Sequence, residues 1–74
     1  MRLHRSEALQ STWYTVDPEV RKFVESLKLD PYPASARAIE ERPGRFEDFV
    51  SGRWIVWEID DSGGETVIRV TITQ

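Results

Sequence analysis

Residues 53–73 restrict the fold more than any other stretch of this chain. They read Arg-Trp-Ile-Val-Trp-Glu-Ile-Asp, then Asp-Ser-Gly-Gly, then Glu-Thr-Val-Ile-Arg-Val-Thr-Ile-Thr. Two runs rich in β-branched and aromatic residues, separated by a short glycine-containing turn, signal a β-hairpin. Placing Asp60 opposite Glu65 sets Trp57 against Ile68 and Ile55 against Val70. Successive side chains of a strand point to opposite faces. One face therefore carries Ile55, Trp57, Ile59, Ile68, Val70 and Ile72, and is apolar throughout. The other carries Trp54, Val56 and Glu58 beside Val67, Arg69 and Thr71, a mixed surface suited to water or a partner.

The apolar face needs a cover, and the clearest one follows Asp17. Asp17 is a good N-cap, Pro18 stands where proline suits the first helical position, and Glu19 complements the positive helix end. Val20, Phe23, Val24 and Leu27 then fall at i, i+3, i+4 and i+7, one stripe facing inward, with Arg21, Lys22, Glu25, Ser26 and Lys28 outside. The helix must end before Asp30-Pro31-Tyr32-Pro33, because a residue before proline is pushed out of the helical region. Pro31-Tyr32-Pro33 is too short to separate domains and reads as a semi-rigid connector.

Upstream, two readings compete. Ser6 is a plausible N-cap, and Glu7-Ala8-Leu9-Gln10 are good helix formers, which predicts a helix from about Ser6 to Tyr14. Thr12 to Val16, rich in β-branched and aromatic side chains, reads alternatively as a strand. Met1 to Arg5 is either a short edge strand or a frayed tail. Downstream of the connector, Ser35 to Glu40 allows a short helical turn anchored by Ile39, and Pro43-Gly44 is turn punctuation. Arg45 to Val50 is the next strand, with Phe46 and Val50 on one face and Phe49 on the other, and Ser51-Gly52 turns the chain into the hairpin.

The assembled expectation is one α+β domain over residues 1–74. Two N-terminal helices pack on a three- to four-stranded antiparallel sheet, and the helix stripe covers the Ile55/Trp57/Ile68/Val70 face. A chain of 74 residues buries only about 60% of its unfolded surface, so stability is slim. The chain has no cysteine, which removes disulfides and thiolate zinc sites. Its one histidine, His4, near the end of the chain, reads as a solvated side chain. No apolar run reaches the roughly 18 residues of a membrane span, and Met1 to Gln10 lacks the apolar stretch of a signal peptide. A cytoplasmic location is the default expectation. The formal net charge of −3 argues against nucleic acid as the main partner, since a global positive field is missing.

The acidic residues do not assemble a catalytic or metal site on paper. Glu47 and Asp48 are adjacent on a strand and point to opposite faces. Asp60-Asp61-Ser62-Gly63-Gly64 lacks the spaced ligands of a calcium loop and reads as a polar turn. Gly63-Gly64 precedes a strand rather than a helix, so it is no phosphate cradle. Neither a catalytic residue, a metal nor a cofactor is indicated.

Several stretches taken together resemble the RelE/ParE superfamily of toxins from bacterial toxin-antitoxin pairs. Asp17-Pro18-Glu19-Val20-Arg21 opening a helix and Leu29-Asp30-Pro31-Tyr32-Pro33 closing it are similar to that family's second helix and its exit. Ala36-Arg37 ahead of Gly44-Arg45-Phe46 resembles the lead into its first central strand. Val50-Ser51-Gly52-Arg53-Trp54-Ile55-Val56-Trp57-Glu58-Ile59-Asp60 resembles its strand-turn-strand segment. The resemblance implies a twisted antiparallel sheet on two helices, and a cognate antitoxin whose helix or strand lies along the sheet or the helical groove. The sequence departs from the family in three places. Glu47 and Phe49 stand where a basic pair is common, the last strand ends Val70-Thr71-Ile72-Thr73-Gln74 without the basic or aromatic residues of the ribonuclease members, and the long first strand is reduced to Met1 to Arg5 at most.

Arg45, Arg53 and Arg69, with Trp54, are the candidate partner- or nucleic-acid-binding residues: guanidinium forks pair with phosphates, and an indole stacks on a base. The competing reading pairs Arg69 with Glu58 and Arg45 with Glu47, and packs Trp54 on the N-terminal segment or on the Pro31-Tyr32-Pro33 connector. RNA cleavage needs cations on phosphates and a group that moves a proton. The departures therefore favour a toxin-like component that binds a target, as in the gyrase-directed members. A non-toxic interaction module of the same fold is the alternative, and a small ribosome-dependent endoribonuclease the second alternative. Free sheet edges permit a homodimer.

Overall fold

The computed structural model describes residues 2–73. In chain order the elements are β1 (Arg2–Arg5), α1 (Glu7–Thr12), α2 (Pro18–Ser26), β2 (Arg37–Ala38), β3 (Arg45–Val50), β4 (Arg53–Asp60) and β5 (Val67–Thr73). They form an α+β fold in which two N-terminal helices cover one face of a five-stranded sheet of order β1-β5-β4-β3-β2. No helix among the described residues is long and apolar enough to cross a membrane.

Local chemistry fixes the helices. The Ser6 side chain accepts from the Leu9 amide and starts α1; the Asp17 side chain accepts from the Glu19 amide and starts α2, with Pro18 in its first turn. The chain between them is not the strand that Thr12 to Val16 allowed, nor does α1 run on to Tyr14. Beyond Thr12 the amides of Thr15 and Val16 both bond to the Thr12 carbonyl, a turn. Arg21 of α2 donates from Nη1 to the carbonyls of Trp13 (3.2 Å) and Val16 (2.9 Å), satisfying acceptors at the C-cap of α1 and in the turn that follows it.

The predicted core face is the observed one. Leu9, Val20, Val24, Leu27, Ile55, Trp57, Ile68 and Val70 are buried to within 1% of completely, and Leu3, Phe23, Phe46, Val50, Ile59 and Ile72 pack around them. Trp57 lies at the centre. Phe23 meets its ring edge-on at 5.6 Å and Phe46 stacks at 6.1 Å. Its buried indole N–H donates to the Pro31 carbonyl at 3.0 Å, so the proline connector fills an otherwise unmet donor.

The sheet differs from the expectation in three respects. It is mixed, because β1 pairs with β5 in parallel, Arg2 opposite Val67 and Arg5 opposite Val70. The helices carry the chain away between these two strands, and only such a long connection can return a neighbour running the same way. Met1, which the expected edge strand included, and Gln74 of the expected last strand lie outside the described residues.

The second difference is β2. Ser35 to Glu40 is not helical: Arg37 and Ala38 pair antiparallel with Glu47 and Phe46, and the Ile39 amide bonds to the Arg45 carbonyl at 3.0 Å. A backbone ladder to β3 satisfies donors that one isolated helical turn would leave open.

The third is register. Asp60 faces Val67 rather than Glu65, so Trp57 faces Val70 and Ile55 faces Ile72. Residues 61–66 all belong to the turn, in which the Ser62 amide and hydroxyl both donate to Asp60 Oδ1. A slip of two residues leaves every side chain on its predicted face.

The β3–β4 turn is the tight one. Ser51 (φ 52°) and Gly52 (φ 82°) both occupy the left-handed region, as a two-residue turn between right-twisted strands requires. Gly44 is constrained by contact as well. At φ 80°, a Cβ there would stand 3.2 Å from the Ile59 carbonyl oxygen.

Candidate interaction surface

The sheet face turned away from the helices is built by alternation from five strands. Cross-strand partners share a face, so Arg45, Glu58, Arg69 and His4 form one row across β3, β4, β5 and β1. Arg37, Glu47, Val56 and Thr71 form the next. Beyond it stand Phe49, Trp54 and Thr73.

Three arginines on this face are tied to carboxylates. Arg37 bonds Glu47 at 2.7 Å, Arg45 bonds Glu58 at 2.9 Å and Arg69 bonds Asp60 at 2.8 Å. The ion-pair reading of the sequence holds in kind but not in partners. Arg45 offsets Glu58 instead of Glu47, because antiparallel pairing sets those two residues directly opposite. Glu47 is taken by Arg37, a residue the helical reading of its segment hid. Arg69 also faces Glu58 in register, yet its guanidinium reaches Asp60, whose other oxygen holds Ser62. The bonds from Ser62, then from Arg69, hold the Asp60 carboxyl well below the usual carboxylate range.

Of the four candidate residues, Arg45 and Arg69 come together, one on either side of Glu58. Arg53 does not join them. It pairs with Val50 at the β3–β4 turn and by alternation faces opposite to Trp54. Trp54 packs neither on the N-terminal segment nor on the proline connector. It is 40% exposed, meets Phe49 edge-on at 5.1 Å, and lies beneath the Arg37 guanidinium at 5.7 Å. Phe49 is 56% exposed, so the pair is an aromatic outcrop at one end of a mixed face. The sequence signal for it was the placement of Phe49 opposite to Phe46 and Val50.

Between β1 and β3 the sheet curves around a concavity of about 280 Å³. Its lining includes Val56 and Thr71, a cross-strand pair, and the neighbouring row of Arg45, Glu58, Arg69 and His4. At the opposite end of the sheet, the Ser51 hydroxyl donates to Asp17 Oδ2 at 2.8 Å, joining the β3–β4 turn to the cap of α2. The Glu19 amide, then this hydroxyl, lower the Asp17 pKa. No group of three or more His, Asp or Glu side chains among the described residues is placed to hold a metal ion.

Compared with known protein families, with curated proteins and with solved structures, the chain has no match.

Proposed function

We propose that this chain is a protein-binding module of the RelE/ParE type: the toxin-like component of a toxin-antitoxin pair, acting by holding a target rather than by cutting RNA, and neutralised by a cognate antitoxin. The observation that carries the choice of binding over cleavage is the state of three open-face cations. Arg37, Arg45 and Arg69 are each bound to a carboxylate of the same face. To grip a phosphate, each would have to share or give up that partner, and Glu47, Glu58 and Asp60 would repel the incoming anion. The order of elements supports the family reading, with Arg2–Arg5 standing where the family has its first strand, then two helices, then an antiparallel β3-β4-β5 meander.

The exposed Phe49–Trp54 pair supports a protein target in particular. Large aromatics are enriched among the residues that dominate protein interfaces. The same pair serves equally the second reading, a non-toxic interaction module using this surface, since it is needed in either case. Induced expression in a bacterial host lacking any antitoxin separates them. Growth arrest with intact messenger and altered plasmid supercoiling is the expected result for a binding toxin of the gyrase-directed kind. Arrest with cut messenger would refute the argument from paired cations, and normal growth with folded soluble protein would leave the non-toxic module.

A further inference from the structure

We propose that the outer edge of β1 takes an acidic extended segment of a partner protein as a sixth strand of the sheet. This is a second surface, on the opposite edge of the sheet from the β2–β3 side that carries Phe49, and it does not depend on toxicity. The backbone prepares it. The Arg2 amide bonds to the Thr66 carbonyl and the Ser6 amide to that of Val70, so the even-numbered residues of β1 turn their main-chain groups to β5. Leu3 and Arg5 turn theirs outward, because alternate residues of a strand bond to opposite sides. α1 covers only one of these groups: Gln10 Nε2 donates to the Arg5 carbonyl at 2.9 Å. The N–H and C=O of Leu3 and the N–H of Arg5 find no partner among the described residues, and open edge groups of this kind receive a further strand. The opposite edge is closed. There β2 pairs with β3, and beyond it the Phe49 amide is taken by Asp48 Oδ1 at 2.8 Å.

Charge chooses the occupant. β1 reads Arg-Leu-His-Arg, two arginines and no acid, in a chain of net charge −3. Unlike Arg37, Arg45 and Arg69, neither Arg2 nor Arg5 holds a carboxylate among the described residues; Arg5 lies over the Trp13 ring at 4.3 Å. Arg2 and His4 are exposed, and their pairing with Val67 and Arg69 sets them on the open face. Leu3 is half-buried on the other face, against the core. An incoming strand therefore meets Arg2 and His4 on one side and an apolar flank on the other, which acids alternating with apolar residues complement. A second copy of β1 supplies no acid. Antiparallel self-pairing centred on Leu3 sets Arg2 against His4, and centred on His4 it sets that residue against itself.

Amide NMR titration of the full chain with an alternating Glu-Val hexapeptide and an alternating Lys-Val hexapeptide tests this, since the two share backbone and alternation and differ in charge. The Glu-Val peptide is expected to give saturable shifts at Leu3 and Arg5, to slow exchange of the Leu3 amide, and to bind at least about tenfold tighter than the Lys-Val peptide, the worth of one charge-assisted contact. Equal binding of both, preference for Lys-Val, shifts confined to the Phe49–Trp54 end, or dimerisation through β1 without peptide would each overturn the proposal. Leu3→Pro removes an outward donor and leaves β1 its own bonds to β5, proline being tolerated where a strand's N–H faces solvent. It is expected to weaken the Glu-Val peptide by a similar factor. Should that variant disturb the edge, Arg2→Glu, an exposed change, is expected to weaken the Glu-Val peptide and strengthen the Lys-Val one. Unchanged affinities in a folded Leu3→Pro or in Arg2→Glu would likewise overturn it.

Discussion

The two faces of the sheet are made from the same strands and obey different rules. On the helix side, Ile55, Trp57, Ile68 and Val70 are buried to within 1% of completely and bound by contact with α1 and α2. On the open side, Glu58 and Arg69 of the same strands are held by solvent-accessible ion pairs to Arg45 and Asp60. Burying an aliphatic or aromatic side chain contributes about 1.5–3 kcal/mol, whereas an exposed ion pair contributes about 0–1 kcal/mol. Stability therefore resides on one face, and the other is free to be shaped for recognition.

The sharpest test of that division compares two tryptophans of β4. Trp57→Ala removes a buried indole and leaves the Pro31 carbonyl without its donor; it is expected to cost about 3–5 kcal/mol, enough to unfold so small a domain in a urea titration. Trp54→Ala, three residues earlier and on the open face, is expected to change stability by less than about 1 kcal/mol while abolishing binding to the proposed protein target. A comparable cost in both variants would erase the distinction between the faces.

Asp17→Ala tests the tie between the helix layer and the β3–β4 turn. Losing the α2 cap is expected to cost about 1 kcal/mol, and the Ser51 hydroxyl loses its acceptor as well. A double-mutant cycle on Arg45 and Glu58 should give a coupling below about 1 kcal/mol that shrinks as salt rises. A much larger, salt-resistant value would mean that the open face contributes to stability as the core does.

The smallest effect is that of acid. Asp17 and Asp60 both have pKa values lowered by folding. Their contribution is present above the unfolded aspartate pKa, about 3.9, and is lost as pH falls through the folded values. Thermal melts from neutral pH to pH 3 should show the decline in the parent protein and a shallower one in Asp60→Asn. Melts of equal slope would show that the turn carries no such linkage.

Much of this was legible in the chain itself. Ser6 and Asp17 announce their helices because a cap is a contact between near neighbours, and the stripe from Val20 to Leu27 marks its own inward side. The hairpin showed its faces even though its register was read two residues out, because alternation has a period of two. Three things did not show. Arg37–Ala38 is too short to carry a strand pattern. Arg2–Arg5, which the sequence left open between an edge strand and a tail, showed neither its partner nor its parallel direction, both of which the β5 edge supplies. The partners of Arg45 and Arg69 depended on pairings between strands. Of the candidate site, the sequence marked Trp54, Arg45 and Arg69 but joined Arg53 to them, and it missed Arg37.

Which residues face the core was thus determined by the sequence alone, because alternation and helical periodicity are local properties that survive an error in register. The tertiary structure alone decided which charges meet, how the aromatic pair is presented and where the concavity opens. Those depend on which strands become neighbours and at what offset, and a six-residue turn or a parallel edge strand changes every cross-strand partner while leaving the apolar pattern intact.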